Sequence, residues 1–278
     1  MVGIVVVNYR DYGRTERFIR EEIARIRVPY RLVVVDNGGD PAQAEALRER
    51  TGCEVLVREN DGYAAGGNAG ASSLCAHPDV DVLLFANNDL HLVTDDGVDS
   101  RVDKLKECPE IGVIGPVIVG PDGKRQSPEP YMGLWKRYVW MYLSTPFLSR
   151  EAKRRIFCLD AAERATEGFC YRVMGSFFLC PRDAWEQVGG MDAHTFLYAE
   201  EPILSERMLR MGRKTYFLPS VTVIHEHGST IKKHLDRKKA AWLQFRSNAY
   251  YYRTYKGYPA WQTTLAGWIY RLILCVKR

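Results

Sequence analysis

Short runs of β-branched apolar residues recur along the first half of the chain, each followed by a helical apolar period. That alternation is the strongest constraint on the fold. Gly3–Val7, Arg31–Val35, Glu54–Arg58, Val82–Ala86 and Ile111–Val119 read as strands. Between them, Phe18, Ile19, Ile23 and Ile26 share one face of a helix starting at Thr15, and Asp40-Pro41 supplies an N-cap and a first-turn proline for a helix to about Arg50. A third helix is expected from near Asn68, after a glycine-rich turn. A fourth is expected from a Thr94 cap, with Asp95 and Asp96 favourably placed in its first turn. Strand and helix in turn imply a mainly parallel sheet flanked by helices. Further on, Val173–Cys180 reads as a strand, with helices expected from Pro181 and over about Glu201–Met211; Thr215–Leu218 and Val221–Ile224 read as two short strands. Residues 121–165 break the pattern: Pro-rich, then aromatic and basic, they read as a variable insertion.

At 278 residues the chain is one large domain, or a domain with an appendage. Seven Cys without a C-x-x-C pair offer neither a disulfide framework nor a zinc knuckle, and fit a reducing cytosol. The amino terminus lacks the n-region and cleavage site of a signal peptide. Charge is divided unevenly: residues 231–278 hold eleven Lys/Arg against Asp236, a net +10, leaving −5 for residues 1–230 of the chain's +5. A basic tail rich in Tyr and Trp points to an anionic surface.

The chemically suggestive residues follow strands, where open α/β sheets bind ligands. Asp36 could accept from a nucleobase or a ribose, or serve as the turn carboxylate of Asn37-Gly38-Gly39. The run Asn60 to Gly70 could aim backbone N–H groups at phosphate, or supply small residues for a close helix–sheet contact. It is not G-x-G-x-x-G, which disfavours a dinucleotide site. Asp89, after Asn87-Asn88, and His225 form a mixed O/N pair at two strand ends, suited to Mg²⁺ or Mn²⁺ beside a diphosphate. Alone, either residue would be read as structural. Glu200-Glu201 at a helix start either complements the helix dipole or provides a general base.

In order, Val7-Asn8-Tyr9, Val35-Asp36-Asn37, Asn60-x-Gly62-Tyr63 with Asn68-x-Gly70, Asn87-Asn88-Asp89, Gly189-Gly190-Met191-Asp192, Phe196-x-Tyr198-x-Glu200-Glu201 with Arg207, and Val223-Ile224-His225 with Ser229 resemble the family-2 glycosyltransferases of the GT-A fold, in their bacterial rhamnosyltransferase-like branch. The resemblance covers about residues 2–230. It implies a GT-A domain over 1–230; within it the insertion at 121–165 reads as acceptor-facing, and the aromatic and basic residues 231–278 read as a helical appendage. It implies an inverting, metal-dependent transfer of a hexosyl or deoxyhexosyl group, such as rhamnosyl, from a UDP- or dTDP-sugar to a saccharide or lipid-linked saccharide in bacterial surface-polysaccharide synthesis. By this resemblance Val7, Asn8, Tyr9, Asp36, Asn60, Gly62, Tyr63, Asn68, Asn88 and Gly175 line the nucleotide sugar, Asp89 and His225 hold Mg²⁺ or Mn²⁺, Glu201 is the base, and Glu200 and Tyr198 place the acceptor.

Three departures stand out. Asn-Asn-Asp leaves one carboxylate where the family has a D-x-D-like motif, Glu200-Glu201 replaces Glu-Asp, and Gly39 replaces a common Ser. No Q-x-x-R-W motif follows, so a processive synthase is not expected. The competing reading is a non-catalytic sugar-nucleotide binder or scaffold on a degenerate fold, against which Asp36, Asp89, Glu201 and His225 are all retained. A nucleic-acid partner is not expected from an acidic body. The tail's aromatic and basic mixture fits peripheral contact with the inner face of the cell membrane; otherwise its aromatics pack on the body or on a second subunit in a homodimer.

Overall fold

The structure, a computed structural model, describes residues 1–226 and 236–276. Ser229 and the start of the basic tail, both invoked above, lie outside the described residues.

Five strands form where the β-branched runs predict them: β1 is Val2–Asn8, β2 Tyr30–Asp36, β3 Glu54–Val57, β4 Val82–Ala86 and, after a short strand β5 (Leu90–Leu92) that the runs do not predict, β6 Ile111–Val119. Helices α1 (Tyr12–Glu21), α2 (Pro41–Thr51), α3 (Tyr63–Cys75) and α4 (Gly97–Glu107) connect them. After a helical stretch over 134–143 come α5 (Arg150–Phe157), β7 (Gly168–Cys170), β8 (Phe177–Pro181), α6 (Arg182–Val188), α7 (Glu200–Arg210) and β9 (Lys214–His225). Two helices end the described chain, α8 (Arg237–Lys256) and α9 (Ala260–Val276).

The sheet runs β3-β2-β1-β4-β8-β6-β9-β5, with β7 also on β9. β1 is parallel to β2 and β4, and β2 to β3, while β8 is antiparallel to both β4 and β6. One core lies on the side of α1, α2 and α4, with Phe18, Leu47 and Val98 against β1, β4 and β9; a second lies on the side of α3, α6 and α7, with Leu74, Trp185 and Met208. The sheet is thus buried on both faces, which explains why its strands read as continuous apolar runs.

Local expectations and structure differ at four points. The glycines of residues 62–70 lie not in a loop but largely inside α3, which begins five residues before Asn68. A Cβ on Gly70 would stand 2.6 Å from Val5 Cγ1 and 2.9 Å from Val35 Cγ2, so these glycines bring the helix close to β1 and β2. Thr94 does not cap α4. Its Oγ1 accepts from Thr222 N at 3.0 Å and ties the end of β5 to β9. The two short strands expected at 215–224 are one strand with a register shift opposite Pro116/Val117. Finally, the segment expected to start a strand at Val173 reaches the sheet only at Phe177, so that Gly175 is left to face the site.

Asp40 caps α2 as read, its Oδ1 accepting from Gln43 N at 3.1 Å.

The helical appendage is present, and much of its aromatic surface is internal. Phe245, Tyr251, Tyr252 and Tyr270 are buried with Leu134, Tyr138 and Val139 of the insertion and with Ala199 and Ile203 at the start of α7, forming a third core. The expectation that the tail aromatics face a membrane as a group therefore fails for these residues: ring burial against the body wins. No described helix is long and apolar enough to cross a membrane.

Candidate functional site

The carboxyl ends of β1, β2 and β4 meet in a buried polar network. Asp36 is fully buried, and its two oxygens accept from Asn8 Nδ2 (3.0 Å), Gly38 N (3.0 Å), Tyr12 OH (2.9 Å) and Asp40 N (3.4 Å). Asn8 Oδ1 in turn accepts from Thr15 Oγ1 at 2.9 Å, and Asn88 Nδ2 donates to the same Thr15 hydroxyl at 2.8 Å. Asn8, Asp36 and Asn88, expected to face the nucleotide sugar, are thus engaged with one another. The turn-carboxylate reading of Asp36 is the one its hydrogen bonds display. Burial and the neighbouring Asp36 push the Tyr12 hydroxyl well above its usual range, so it stays a donor. Sequence reasoning assigned neither Tyr12 nor Thr15 a part in the site, and Thr15, read there as the helix start, lies inside α1. Their signal is only that Asn8 precedes them by one helical turn or two.

Tyr12 also lines an open groove of ≈ 800 Å³ between the β1 and β2 ends, with Arg10, Gly38, Gly39, Asp40 and Gln43. Val7 and Tyr9 are half-buried, with the Arg10 guanidinium 5.4 Å from the Tyr9 ring centroid. Asn60 is exposed, and its Oδ1 accepts from Gly62 N at 3.2 Å. Asn68 does other work than cradle phosphate: its amide donates to Met191 O (2.8 Å) and accepts from Met191 N (2.9 Å), fastening α3 to the Gly189–Asp192 turn. Gly62 has φ +104, and a Cβ there would lie 2.3 Å from Phe196 O, so only glycine fits this crossing.

Asp89 and His225 meet as expected. His225 Nε2 is 3.1 Å from Asp89 Oδ1, with side chains 7% and 10% exposed. Burial works to raise the Asp89 carboxyl, but the hydrogen bond and charge of His225, then Arg14 with Nη1 4.0 Å from Oδ2, outweigh it and the net shift is downward. A carboxylate and an imidazole at one point suit a hard to borderline divalent cation. Among the described residues no cluster of three such ligands occurs, so substrate oxygens would have to complete the shell. Around the pair lies a ring that sequence reasoning missed: Arg14 pairs with Glu226 at 3.2 Å, and His91 bridges Glu226 and Glu22 at 3.0 Å each.

The opposite wall is the start of α7. Glu201 is 23% exposed at its side chain; Oε1 accepts from Gly175 N at 3.1 Å and Oε2 lies 3.7 Å from Arg172 Nη1. Arg172, itself 8% exposed, also pairs with Glu129 of the insertion. A Cβ on Gly175 would fall 2.7 Å from Glu201 Oε1, so Gly175 makes room for the carboxylate and holds it by its N–H. Glu200 is buried, its Oε1 has no hydrogen-bond partner, and burial with the adjacent Glu201 charge pushes its carboxyl up to about 8. Tyr198, half-buried, and Ala199 stand at φ 70° and 71° just before the helix. Tyr63 joins the two walls. Its hydroxyl donates to Gly175 O at 3.4 Å, and burial, then the charges of Glu200, Glu201 and Asp89, raise it well above its usual range.

No family model matches the chain. In sequence it is 27% identical over 247 residues to the N-acetylglucosaminyl-diphospho-decaprenol L-rhamnosyltransferase of Mycobacterium tuberculosis, covering 81% of this chain and 76% of the relative. Among solved structures it is similar to the mannosyltransferase PcManGT from Pyrobaculum calidifontis in complex with GDP-Man and Mn²⁺ (TM-score 0.58, 16% identity, 99% of this chain and 70% of that one). It is also similar to GalNAc-T7 with UDP, GalNAc and Mn²⁺ (TM-score 0.59, 14% identity, all of this chain but 56% of that one). A further likeness is to Staphylococcus aureus TarS 1–349, with a TM-score of 0.52 and 11% identity over 92% of this chain.

Proposed function

Because the chain is a glycosyltransferase of the GT-A fold, similar to a rhamnosyltransferase, we propose that it is an inverting, cation-assisted enzyme of the family-2 kind. It moves a hexosyl or deoxyhexosyl group, such as rhamnosyl, from a UDP- or dTDP-sugar to a hydroxyl of a saccharide or lipid-linked saccharide that builds bacterial surface polysaccharide. The observation that carries this is geometric: Asp89 and His225 meet at 3.1 Å, and the partly exposed Glu201 carboxylate is held by Gly175 N–H at 3.1 Å with Arg172 at 3.7 Å.

Glu201 removes the proton of the acceptor hydroxyl as that oxygen forms a bond to the anomeric carbon. The bond from that carbon to the diphosphate breaks on the opposite face, which inverts the centre and releases the nucleoside diphosphate. Asp89 and His225 would hold Mg²⁺ or Mn²⁺, whose charge would neutralise the departing diphosphate. Glu200, with a carboxyl pushed up to about 8, keeps its proton at neutral pH and so places no second negative charge beside the base. Gly175 N–H and Arg172 fix the carboxylate of Glu201 while leaving it partly exposed.

The relative named above is, by its name, a transferase acting on a lipid diphosphate. A lipid-held acceptor on the inner face of the cell membrane is the matching place for this chain. The surface we assign to it is on α9: Trp261, Leu265, Trp268, Leu272 and Val276 recur at helical spacing and are all exposed, while Thr263, Ala266, Gly267 and Tyr270 face the body. Described residues 236–276 hold Arg237, Lys238, Lys239, Arg246, Arg253, Lys256 and Arg271 against Asp236, a balance that attracts anionic headgroups.

The test is a panel of nucleotide sugars, each with Mn²⁺, read by thermal shift and by donor hydrolysis. A cognate donor raises Tm in proportion to ln(1 + [L]/Kd), only with the cation present. A panel in which no nucleoside diphosphate sugar shifts Tm rejects the reading.

A further inference from the structure

We propose that α8 is a positioning element for the catalytic base: Ser247, Tyr250 and Tyr255 hold the 191–199 loop in the conformation that aims Glu201. The proposal rests on the reading of Glu201 as the base.

The loop between α6 and α7 has no regular structure, yet it ends in two consecutive non-glycine residues in the left-handed region, Tyr198 and Ala199. Such backbone persists only where surrounding contacts hold it. On one side the contacts come from α3: Asn68 takes both backbone groups of Met191, and Tyr63 N donates to Phe196 O at 3.0 Å. On the other side they come from the tail. Asp192 accepts from Tyr250 OH at 2.8 Å and from Tyr255 OH at 2.6 Å, and Leu197 O accepts from the buried Ser247 hydroxyl at 2.7 Å. Ala199 and Ile203 then pack among Phe245, Ala249, Tyr251 and Tyr252.

The tail contacts fall at Asp192, Leu197, Ala199 and Ile203, so they bracket the left-handed pair from before and after. None of them touches the donor edge. Asp192 is correspondingly strongly engaged: burial works to raise its carboxyl, but hydrogen bonds from Tyr255, His194 and Tyr250 bring it down to about 2. The packing continues outward, because Gly267 and Tyr270 of α9 sit on Phe245 of α8. A surface that engages α9 is therefore connected through one packed layer to the residue that takes the proton.

Misplacing a reacting group by about 1 Å costs on the order of 100-fold in rate, whereas ligand binding elsewhere is untouched. In the full chain, Tyr250→Phe/Tyr255→Phe and Ser247→Ala should lower kcat by about 10-fold or more. Affinity for the nucleoside diphosphate with Mn²⁺, measured by calorimetry, should stay at the wild-type level, and Ser247→Thr, which keeps the hydroxyl, should recover most of the rate. Amide exchange over residues 196–201 should quicken in the first two variants and not in the third. Wild-type kcat and unchanged exchange in both variants would overturn the proposal. So would a parallel loss of nucleotide affinity, or a Ser247→Thr protein no better than the alanine one. Glu201→Gln measured alongside separates the two readings: full turnover in that protein rejects the base itself, whereas full turnover in the tail variants alone rejects only the positioning role.

Discussion

The two walls of the site are built on opposite terms. At the donor edge, Asn8, Asp36, Tyr12, Thr15 and Asn88 satisfy one another so completely that Asp36 is fully buried with four hydrogen bonds. At the base wall, Glu200 is buried with an unpartnered oxygen, Tyr198 and Ala199 are left-handed, and Arg172 is shared between Glu129 and Glu201. The first arrangement is what folding alone would select. The second holds polar groups and backbone in states that folding does not need, which is where a protein places its chemistry.

If that contrast is right, changes at the base wall should remove turnover and leave the fold, and changes at the donor edge should do the reverse. Glu201→Gln is the sharpest case. It keeps the shape and the Gly175 N–H contact but cannot take a proton, so kcat should fall by about 10²–10⁴ while thermal stability and donor binding hold. Turnover within twofold of wild type breaks the comparison. Asp89→Ala should come next, weakening Mn²⁺-dependent nucleotide binding by about 10–100-fold in calorimetry and leaving cation-free binding as it was. At the donor edge, Asp36→Ala strands the Asn8 amide in a buried place and takes its acceptor from the groove-lining Tyr12 hydroxyl. It should cost about 1–3 kcal/mol per group left unpaired, read as a fall in Tm before any specific effect on transfer.

The donor edge was also the more legible wall, because its residues come from consecutive strands and the turns that follow them. β-branched runs located β1 to β4, and Asp40-Pro41 marked the start of α2. Assigning tasks was harder. Asn8, Asp36 and Asn88 were found as a group, but which of them faces ligand depends on Tyr12 and Thr15, whose side chains carry no motif. The glycines before Asn68 misled because glycine weakens a helix locally, whereas here the sheet rewards the closeness of Gly70 to Val5 and Val35. At the base wall the Glu200-Glu201 dipeptide was plain in the sequence, but its support was not. Arg172 meets Glu129 across 43 residues, and Ser247 meets Leu197 across 50. Nor does an aromatic tail declare which rings turn inward, since that is settled by Leu134, Tyr138 and Ile203 far along the chain.

Glu200 offers a gentler probe of the same contrast. Its carboxyl is held at about 8, above the ordinary carboxyl value, so between those two pH values the folded protein keeps a proton that the unfolded chain releases. Stability therefore falls as pH rises through that window and is level above it, with a slope of at most about 1.4 kcal/mol per pH unit. Glu200→Gln cannot ionise. The Tm of the variant minus that of wild type should increase from pH 5 to pH 8 and then flatten; a constant difference would place Glu200 among ordinary surface acids.

The smallest effect is expected farthest from both walls, on α9. Its outward stripe makes no contact that the fold requires, so Trp268→Ser, 72% exposed at that position, should leave Tm and turnover on a soluble acceptor unchanged. A Trp ring at headgroup depth contributes modestly, and its loss should weaken flotation with vesicles containing anionic lipid by roughly 3–10-fold. Adding Leu272→Ser should weaken it further, and salt should weaken what remains, since the cations of α8 and α9 act within a Debye length of the surface. The direction of failure is informative. If Trp268→Ser also lowers kcat on a soluble acceptor, α9 is part of the base wall through Phe245 and α8, and the boundary between the catalytic body and its membrane-facing layer belongs outside the helix rather than along it.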